Sequence, residues 1–416
     1  MAKVGKTTVV PELRFPEFRE AEGWDLKHGD ELFDAINNRS PSETLPILAI
    51  TQEHGAIPRD QIDYHVSVTE QSIESYKVVD KGDFIISLRS FQGGIEYSNY
   101  RGICSPAYVI LRRKGDGLDG YFRHLFKSAR FIQQLTRNIE GLRDGKMISY
   151  KQFSEQLIPV AKPPEQQKIA NCLSSLDELI AVQGRKIKAL KTYKRGLMQQ
   201  IFPREGETLP RLRFPEFRDA PEWEERQLKT CFSPIRNGFV GTATPFYVSG
   251  GIPYLQGKNV KKGRIDSSEL VTITKSFHEK QKKSQLRLGD IVMVQSGHVG
   301  ECAYINERYV GANCHALIIL TPLEHQHSPF FVHCFGSDFG VKLIAQITTG
   351  NTIKHILASE VKNLVVRVPQ FAEQQRIADF LSALDDAISS ECDNLGTLKA
   401  HKRGLMQKLF PLLEEV

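Results

Sequence analysis

Apolar residues recur at alternating spacings of three and four along two long stretches of this chain. In the first stretch they stand at Ile169, Leu173, Leu176, Ile180, Ile187, Leu190, Leu197 and Ile201, with Gln183 and Lys194 at the skipped positions. In the second they stand at Ile377, Leu381, Leu384, Ile388, Leu395, Leu398, Leu405 and Leu409, with Glu391 and Lys402 at the same skips. Sustained for more than four heptads, this pattern predicts a coiled-coil seam. Pro163 and Pro164, and later Pro369, stand at the starts, and Pro203 and Pro411 at the ends, where helices tolerate or require proline. Each helix is then about 55–60 Å long, at roughly 1.5 Å per residue.

Charge orients the pair. The early part of each stretch is acidic (Glu165, Asp177 and Glu178; Glu373, Asp379, Asp385 and Asp386), and the late part is basic (Lys188, Lys191, Lys194 and Arg195; Lys399, Lys402, Arg403 and Lys408). This polarity complements each helix dipole. An antiparallel pair sets acidic halves against basic halves, whereas a parallel pair sets like beside like. The expectation is an intramolecular antiparallel pair; packing of each helix on its own globular neighbour is the alternative.

Between the helices the apolar runs are short. Lys81-Gly82-Asp83-Phe84-Ile85-Ile86 is matched by Leu288-Gly289-Asp290-Ile291-Val292-Met293, each a Gly-Asp turn entering a strand. Tyr108–Leu111 and Ala316–Leu320 read as a second matched pair of buried strands. After the strand entry the sequences part, into Ser87-Leu88-Arg89-Ser90-Phe91-Gln92 in one half and Val294-Gln295-Ser296-Gly297-His298 in the other. Such polar side chains read base edges. Two readers of different sequences and neutral loop drift both produce this divergence.

The chain is a tandem duplication. Residues 163–203 and 371–411 share 20 of 41 positions, and LRFPEFREAEGW at 13–24 returns as LRFPEFRDAPEW at 212–223. The 416 residues carry a net charge of +6, concentrated in patches: nine Lys or Arg against three acids over 258–287, and nine against four over 112–146. One patch in each half suggests a polyanion partner, against the plainer reading of solvated lysine-rich surfaces. Seven cysteines at irregular spacing, without a CxxC pair, argue against a disulfide framework. Cys302, Cys314, His315, His325, His327, His333 and Cys334 crowd one segment but lack paired zinc-ligand spacing. No apolar run approaches membrane-spanning length and the start lacks a signal core, so the expectation is a soluble cytoplasmic protein.

Duplicated helices with an EQQ-x-IA start and a KRGLMQ-x-[IL]-F-P finish, alternating with two variable regions that have Gly-Asp strand entries, resemble the specificity subunit of type I restriction-modification systems. The resemblance covers essentially the whole chain. It implies an α+β fold: two mixed α/β target-recognition domains joined by two long antiparallel coiled-coil helices, a pseudo-twofold internal duplication. The expected divisions are a first target-recognition domain over 1–160, a spacer helix over 163–203, a linker over 204–211, a second target-recognition domain over 212–368 and a second spacer helix over 371–411. The implied function is recognition of a split, asymmetric site on double-stranded DNA without catalysis. Two methyltransferase subunits and, through them, two restriction subunits are the implied partners. No cofactor is expected in this chain; S-adenosylmethionine, ATP and magnesium belong to the partners that methylate adenine N6 and cleave DNA.

Residues with catalytic overtones fit that picture. Gly5-Lys6-Thr7 lacks the first glycine of a P-loop, and Ser105-Pro106-Ala107-Tyr108 lacks the second proline of the [DNS]-P-P-[YF] element. Glu360-Val361-Lys362 has a nuclease-like E-x-K spacing without a partner carboxylate motif and reads as a surface strand. A self-sufficient methyltransferase or nuclease, and a coiled-coil scaffold that ignores DNA, are the rival readings. Candidate DNA contacts, chosen for polar chemistry near the strand exits and basic patches, are Arg89, Ser90, Gln92, Lys146 and Tyr150 in the first half. In the second they are Lys258, Asn259, Lys261, Lys262, Gln295, Ser296 and His298.

Overall fold

A computed structural model describes residues 8–39, 45–62, 74–115, 117–137 and 148–412. The chain forms two compact units, one of residues 1–184 with 393–416 and the other of residues 185–392. Both boundaries fall inside long helices, so each unit takes part of each.

In unit 1, β1 (Thr8–Val9), β2 (Trp24–His28) and β11 (Leu157–Val160) form one sheet in the order β1-β2-β11. A second sheet has the order β3-β10-β7-β8, from β3 (Phe33–Ile36), β7 (Phe84–Ile86), β8 (Glu96–Tyr97) and β10 (Val109–Arg113). Two hairpin-like pairs complete the described strands: β4 (Leu48–Thr51) with β5 (Gly55–Pro58), and β6 (Lys77–Val79) with β9 (Gly102–Cys104). Its helices are α1 (Gly29–Leu32), α2 (Ser90–Gly93), α3 (Asp119–Leu125), α4 (Ala129–Arg137) and α5 (Tyr150–Ser154), followed by the start of α6 (Pro163–Ile201).

Unit 2 repeats the plan. Its main sheet runs β13-β21-β18-β19, from β13 (Phe232–Asn237), β18 (Ile291–Val294), β19 (Cys302–Tyr304) and β21 (Leu317–Pro322). Beside it lie the pair β12 (Glu224–Gln227) and β22 (Val365–Val368), the sheet β17-β14-β20 (Val271–Ile273, Tyr247–Leu255, Asn313–Cys314), and the ribbon β15 (Val260–Lys261) with β16 (Arg264–Ile265). The helices are α7 (Leu228–Cys231), α8 (Lys275–Lys280), α9 (Ser328–Phe335), α10 (Asp338–Gln346) and α11 (Ala358–Val361), with the start of α12 (Phe371–Leu409).

The Gly-Asp entries have a physical cause in both units. Gly82 and Gly289 sit at φ 100° and 82°, where a Cβ is disfavoured. The following carboxylates are buried and close the turn: Asp83 accepts from the Asp80 N–H at 2.8 Å, and Asp290 from the Arg287 N–H at 2.9 Å. Arg112 and Thr321, each on the neighbouring strand, bind Asp83 and Asp290, and Arg236 reaches Asp290 from β13, one strand further. The second expected strands begin one residue late, at Val109 and Leu317. Glu360 corrects the sequence reading: it lies on α11 rather than a strand, because Val361 N–H closes onto the Leu357 carbonyl as a helical turn.

The long helices run antiparallel within each unit. In unit 2, Lys186 meets Glu391 at 2.5 Å and Lys194 meets Asp385 at 2.6 Å, so one helix advances as the other retreats. In unit 1, Lys402 meets Asp177 at 2.5 Å. Lys194, Lys402 and Glu391 are three of the four skipped seam positions, and each of these polar breaks is met by an opposite charge across the seam. None of the predicted seam residues is exposed. The helices also pack on globular neighbours. Ile169, Leu173, Met406, Leu409 and Phe410 enter the core of unit 1 with Trp24, Phe33 and Phe122. Ile201, Phe202, Ile377 and Leu381 enter that of unit 2 with Trp223, Phe330 and Phe331. Both packing modes anticipated from the pattern are present.

The duplicated echo segments hold the helix starts. Arg14 donates through Nε and Nη2 to the two oxygens of Glu165, at 2.8 and 2.7 Å, and Trp24 Nε1 donates to the same carboxylate at 2.9 Å. Arg213, Glu373 and Trp223 repeat this at 2.8, 2.7 and 3.3 Å. The chain's only two tryptophans serve this purpose. Each glutamate is the third residue of its helix, near the positive end of the dipole. The next residues, Gln166 and Gln374, cap the preceding turn by donating to the Ala161 and Pro369 carbonyls.

Candidate nucleic-acid interface

The loop after β18 and the ribbon β15–β16 lie together in unit 2. His298 Nε2 is 3.2 Å from the Gly257 carbonyl, next to Lys258, and the Lys262 N–H donates to Glu301 at 2.8 Å. Ser296 and Gln295 both reach His355, which reasoning from sequence missed. Ser296 Oγ is 2.7 Å from Nδ1, and Gln295 Nε2 is 3.2 Å from Nε2. Backbone bonds fasten the loop carrying His355 to this exit: Gly297 N–H to the Lys354 carbonyl, and Ile356 N–H to the Gln295 carbonyl. Exposed Ser296, His298, Lys258, Lys261 and Lys262 thus share one region of unit 2 with the exposed segment 349–354.

The electrostatics of this region are tempered by local acids. Lys258 pairs with Glu269 at 3.2 Å and Lys261 with Asp266 at 2.7 Å. Hydrogen bonds from Lys261 and Ser268 hold the Asp266 carboxyl well below its usual range, and Asp266 in turn raises the Lys261 ammonium. A phosphate approaching Lys261 therefore competes with a carboxylate that stays ionised. Asn259 faces inward: it is 1 % exposed, its Oδ1 accepts from Gln256 N–H, and its amide donates to the Asp266 carbonyl. Its amide holds the turn and is not free to meet a base edge. Gln295 is 7 % exposed and acts on its neighbours instead.

Unit 1 presents a different surface at the matching exit. Arg89 and Gln92 are exposed at α2, and the Gln52 amide donates to the Arg89 carbonyl at 3.4 Å. Ser90 is buried, and its hydroxyl accepts from Ser87 N–H at 2.8 Å to form the turn. Tyr150 is half-buried and donates to the Phe33 carbonyl at 2.9 Å. Lys146 lies outside the described residues. The basic stretch over 112–146 is not an open cationic field where it is described. Arg112 pairs with Asp80 and Asp83, Arg113 with Asp119, Lys114 with Asp34, Lys127 with Glu96 and Arg130 with Glu12. All of these acids but Asp119 lie outside the stretch, where a count of its residues does not reach.

A polar cluster recurs where each unit meets its helices. His124 Nε2 is 3.1 Å from Ser174 Oγ and its Nδ1 is 3.8 Å from Asp177, the partner of Lys402. His333, Ser382, Asp385 and Lys194 repeat the arrangement at 3.1, 3.9 and 2.6 Å. Burial, reinforced by the lysines, lowers the two imidazoles to about 4 and about 3 respectively. Both rings are neutral at neutral pH, and the lysines supply the charge opposite each aspartate. Among the described residues no group of three or more His, Cys, Asp or Glu converges as metal ligands. Cys302, Cys314 and Cys334 are buried, which raises all three thiols. His315 contacts the Tyr254 hydroxyl, and His325 and His327 lie edge-on to Phe371. No described helix is long and apolar enough to cross a membrane.

Comparison with known proteins gives this geometry a context. The family model for the type I restriction modification DNA specificity domain matches the chain twice, over residues 22–192 and 221–398. The type I restriction enzyme MjaVIII specificity subunit of Methanocaldococcus jannaschii is 21 % identical over 408 residues, covering 94 % of this chain and 93 % of that one. A solved structure described as the basis of complex assembly and conformational transition of the type I R-M system superposes with a TM-score of 0.58 at 18 % identity, covering 94 % and 99 % of the two chains. The type I restriction-modification S subunit from M. genitalium gives 0.57 at 16 %, covering 98 % and 100 %. These structural likenesses show the fold.

Proposed function

The chain belongs to the type I restriction modification DNA specificity family, and from that membership we propose that each of its two units reads one half of a split, asymmetric DNA site. It is a specificity subunit with a non-catalytic role. The observation that carries the two-half reading is the double family match on two units of one plan whose strand-exit loops differ in chemistry. Residues 1–160 and 212–368 are the two target-recognition domains, joined through residues 204–211 and through the spacers 163–203 and 371–411. Backbone phosphates supply most of the affinity, and a few base contacts, worth about 1–3 kcal/mol each, supply the choice of sequence.

In unit 2, Lys258, Lys261 and Lys262 meet phosphates while Ser296 and His298 face the groove. In unit 1, Arg89 and Gln92 take these roles. Two methyltransferase subunits dock on the helices, where Leu179 and Val182 are 54 % and 51 % exposed on α6, and restriction subunits join through them. S-adenosylmethionine, ATP and magnesium are bound by those partners, and the complex works in the cytoplasm. Methylome sequencing of cells carrying this chain with its methyltransferase tests the reading. Methylated adenines in a two-part motif with a fixed gap are expected; a single contiguous motif overturns it.

A further inference from the structure

We propose that Gln295, His355 and Ser296 form a hydrogen-bond relay that fixes Ser296 as a donor toward an acceptor on a base edge, which makes His355 a specificity-determining positioning residue of unit 2. The proposal rests on the reading above that the loop after β18 faces DNA.

The polarity follows from the contacts. The Gln295 amide nitrogen, 3.2 Å from His355 Nε2, has only hydrogens to give. His355 Nε2 therefore accepts, which leaves the ring N–H at Nδ1. That N–H donates to Ser296 Oγ at 2.7 Å, so the hydroxyl hydrogen is directed away from the ring and toward solvent. Reversing the amide reverses every link: Oε1 accepts from Nε2–H, Nδ1 accepts from Ser296, and the serine becomes an acceptor. Gln295 Oε1 is buried without a hydrogen-bond partner among the described residues, so the bond to His355 is the one that engages this amide. Backbone bonds between His355 and Thr349, at 2.8 and 2.9 Å, hold the ring's segment in place without using the side chain.

The two units differ at this point. Leu88 and Arg89 stand where unit 2 has Gln295 and Ser296, counted from the matched glycines Gly82 and Gly289. In the sequence Met147 precedes Ile148 as His355 precedes Ile356, although residue 147 lies outside the described residues. Structural devices in this chain occur twice, as with Arg14–Glu165 and Arg213–Glu373, or His124–Ser174 and His333–Ser382. Among the described residues the relay occurs in unit 2 and not in unit 1, at a loop where the scaffold is shared and the side chains are not.

A donor at Ser296 suits purine N7, guanine O6 or thymine O4 and is mismatched to cytosine, whose major-groove edge offers an amino donor. Once the half-sites are known, the methyltransferase complex is assayed on duplexes varied at each position of the second half-site. The wild-type complex should exclude cytosine at one position by about tenfold or more, the scale of one good contact. His355→Phe removes both ring nitrogens and should erase most of that exclusion, as should Ser296→Ala, with the first half-site read as before. Thermal midpoints identify any variant that does not fold; if His355→Phe is one, His355→Asn, whose amide takes either orientation, decides. Relaxation by Ser296→Ala with exclusion intact in folded His355 variants sinks the relay while leaving the contact reading in place. A preference for cytosine at the position that Ser296→Ala affects overturns the donor polarity. If folded Ser296 and His355 variants leave every position unchanged, the contact reading fails and takes the relay with it.

Discussion

Replacing Arg14 with Met tests the claim that the echo segment exists to anchor the helix start. Arg14 and Glu165 are 5 % and 2 % exposed, and the guanidinium also donates to the Ala21 and Glu22 carbonyls at 2.6 and 2.8 Å. The substitution leaves a buried carboxylate with Trp24 as its remaining side-chain donor and strands two carbonyls. Breaking a buried pair from one side costs about 3–5 kcal/mol, against about 0–1 for an exposed pair. Glu165→Leu should cost a similar amount, because it strands the guanidinium and Trp24 Nε1. The double variant should lose clearly less than the sum, since no unpaired charge is left, giving a coupling of about 1–3 kcal/mol. Urea denaturation of the four proteins supplies the cycle, and hydrogen exchange at residues 166–173 reports the first helical turns directly. A loss under about 1 kcal/mol for Arg14→Met, or strict additivity, refutes the anchoring role.

The remaining predictions use the same geometry. His124 and His333 are lowered to about 4 and about 3, so folding favours the neutral rings. Their contribution is complete above the unfolded value of about 6.5; as pH falls from there toward about 4 the unfolded chain takes up protons first, and stability drops by about 1.4 kcal/mol per pH unit per histidine. His124→Gln with His333→Gln should flatten that slope in denaturation curves between pH 6.5 and 4; an unchanged slope contradicts the assignment. Lys262→Gln should weaken binding of the complex to all sequences alike and reduce its salt slope by about one, as measured by titrations at several salt concentrations. The purified chain alone should transfer no methyl group from labelled S-adenosylmethionine and cut no DNA; incorporation by an uncontaminated preparation contradicts the non-catalytic role.

Local signals in the sequence were the readable ones. Alternating three and four spacing placed both helices, and their charge polarity gave the antiparallel sense now seen in Lys194–Asp385 and Lys402–Asp177. Glycines needing positive φ marked the strand entries. What stayed hidden depends on partners far along the chain. Arg14 and Glu165 are 151 positions apart, and the motifs containing them were visible as repeats without any sign that they bind each other. Four cations of the first basic stretch pair with acids outside it, which a count along the stretch cannot register. His355 joins Ser296 across 59 positions, and nothing in the run Lys354-His355-Ile356-Leu357 distinguishes it from an ordinary loop. Asn259 and Ser90 have base-reading chemistry, but turn formation engages it.

If the spacers 163–203 and 371–411 set the distance between two independently read half-sites, as their place between the recognition domains suggests, lengthening them tests the proposed function most directly. Seven residues inserted after Ile187 and seven after Cys392 keep the heptad phase and lengthen both helices by about 10 Å, roughly three base pairs of rise. Methylome sequencing of cells carrying the variant with its methyltransferase reports the half-sites and the gap together. Both half-site sequences should persist while the unread gap widens by about three base pairs. An active variant with altered half-site bases and an unchanged gap contradicts the account.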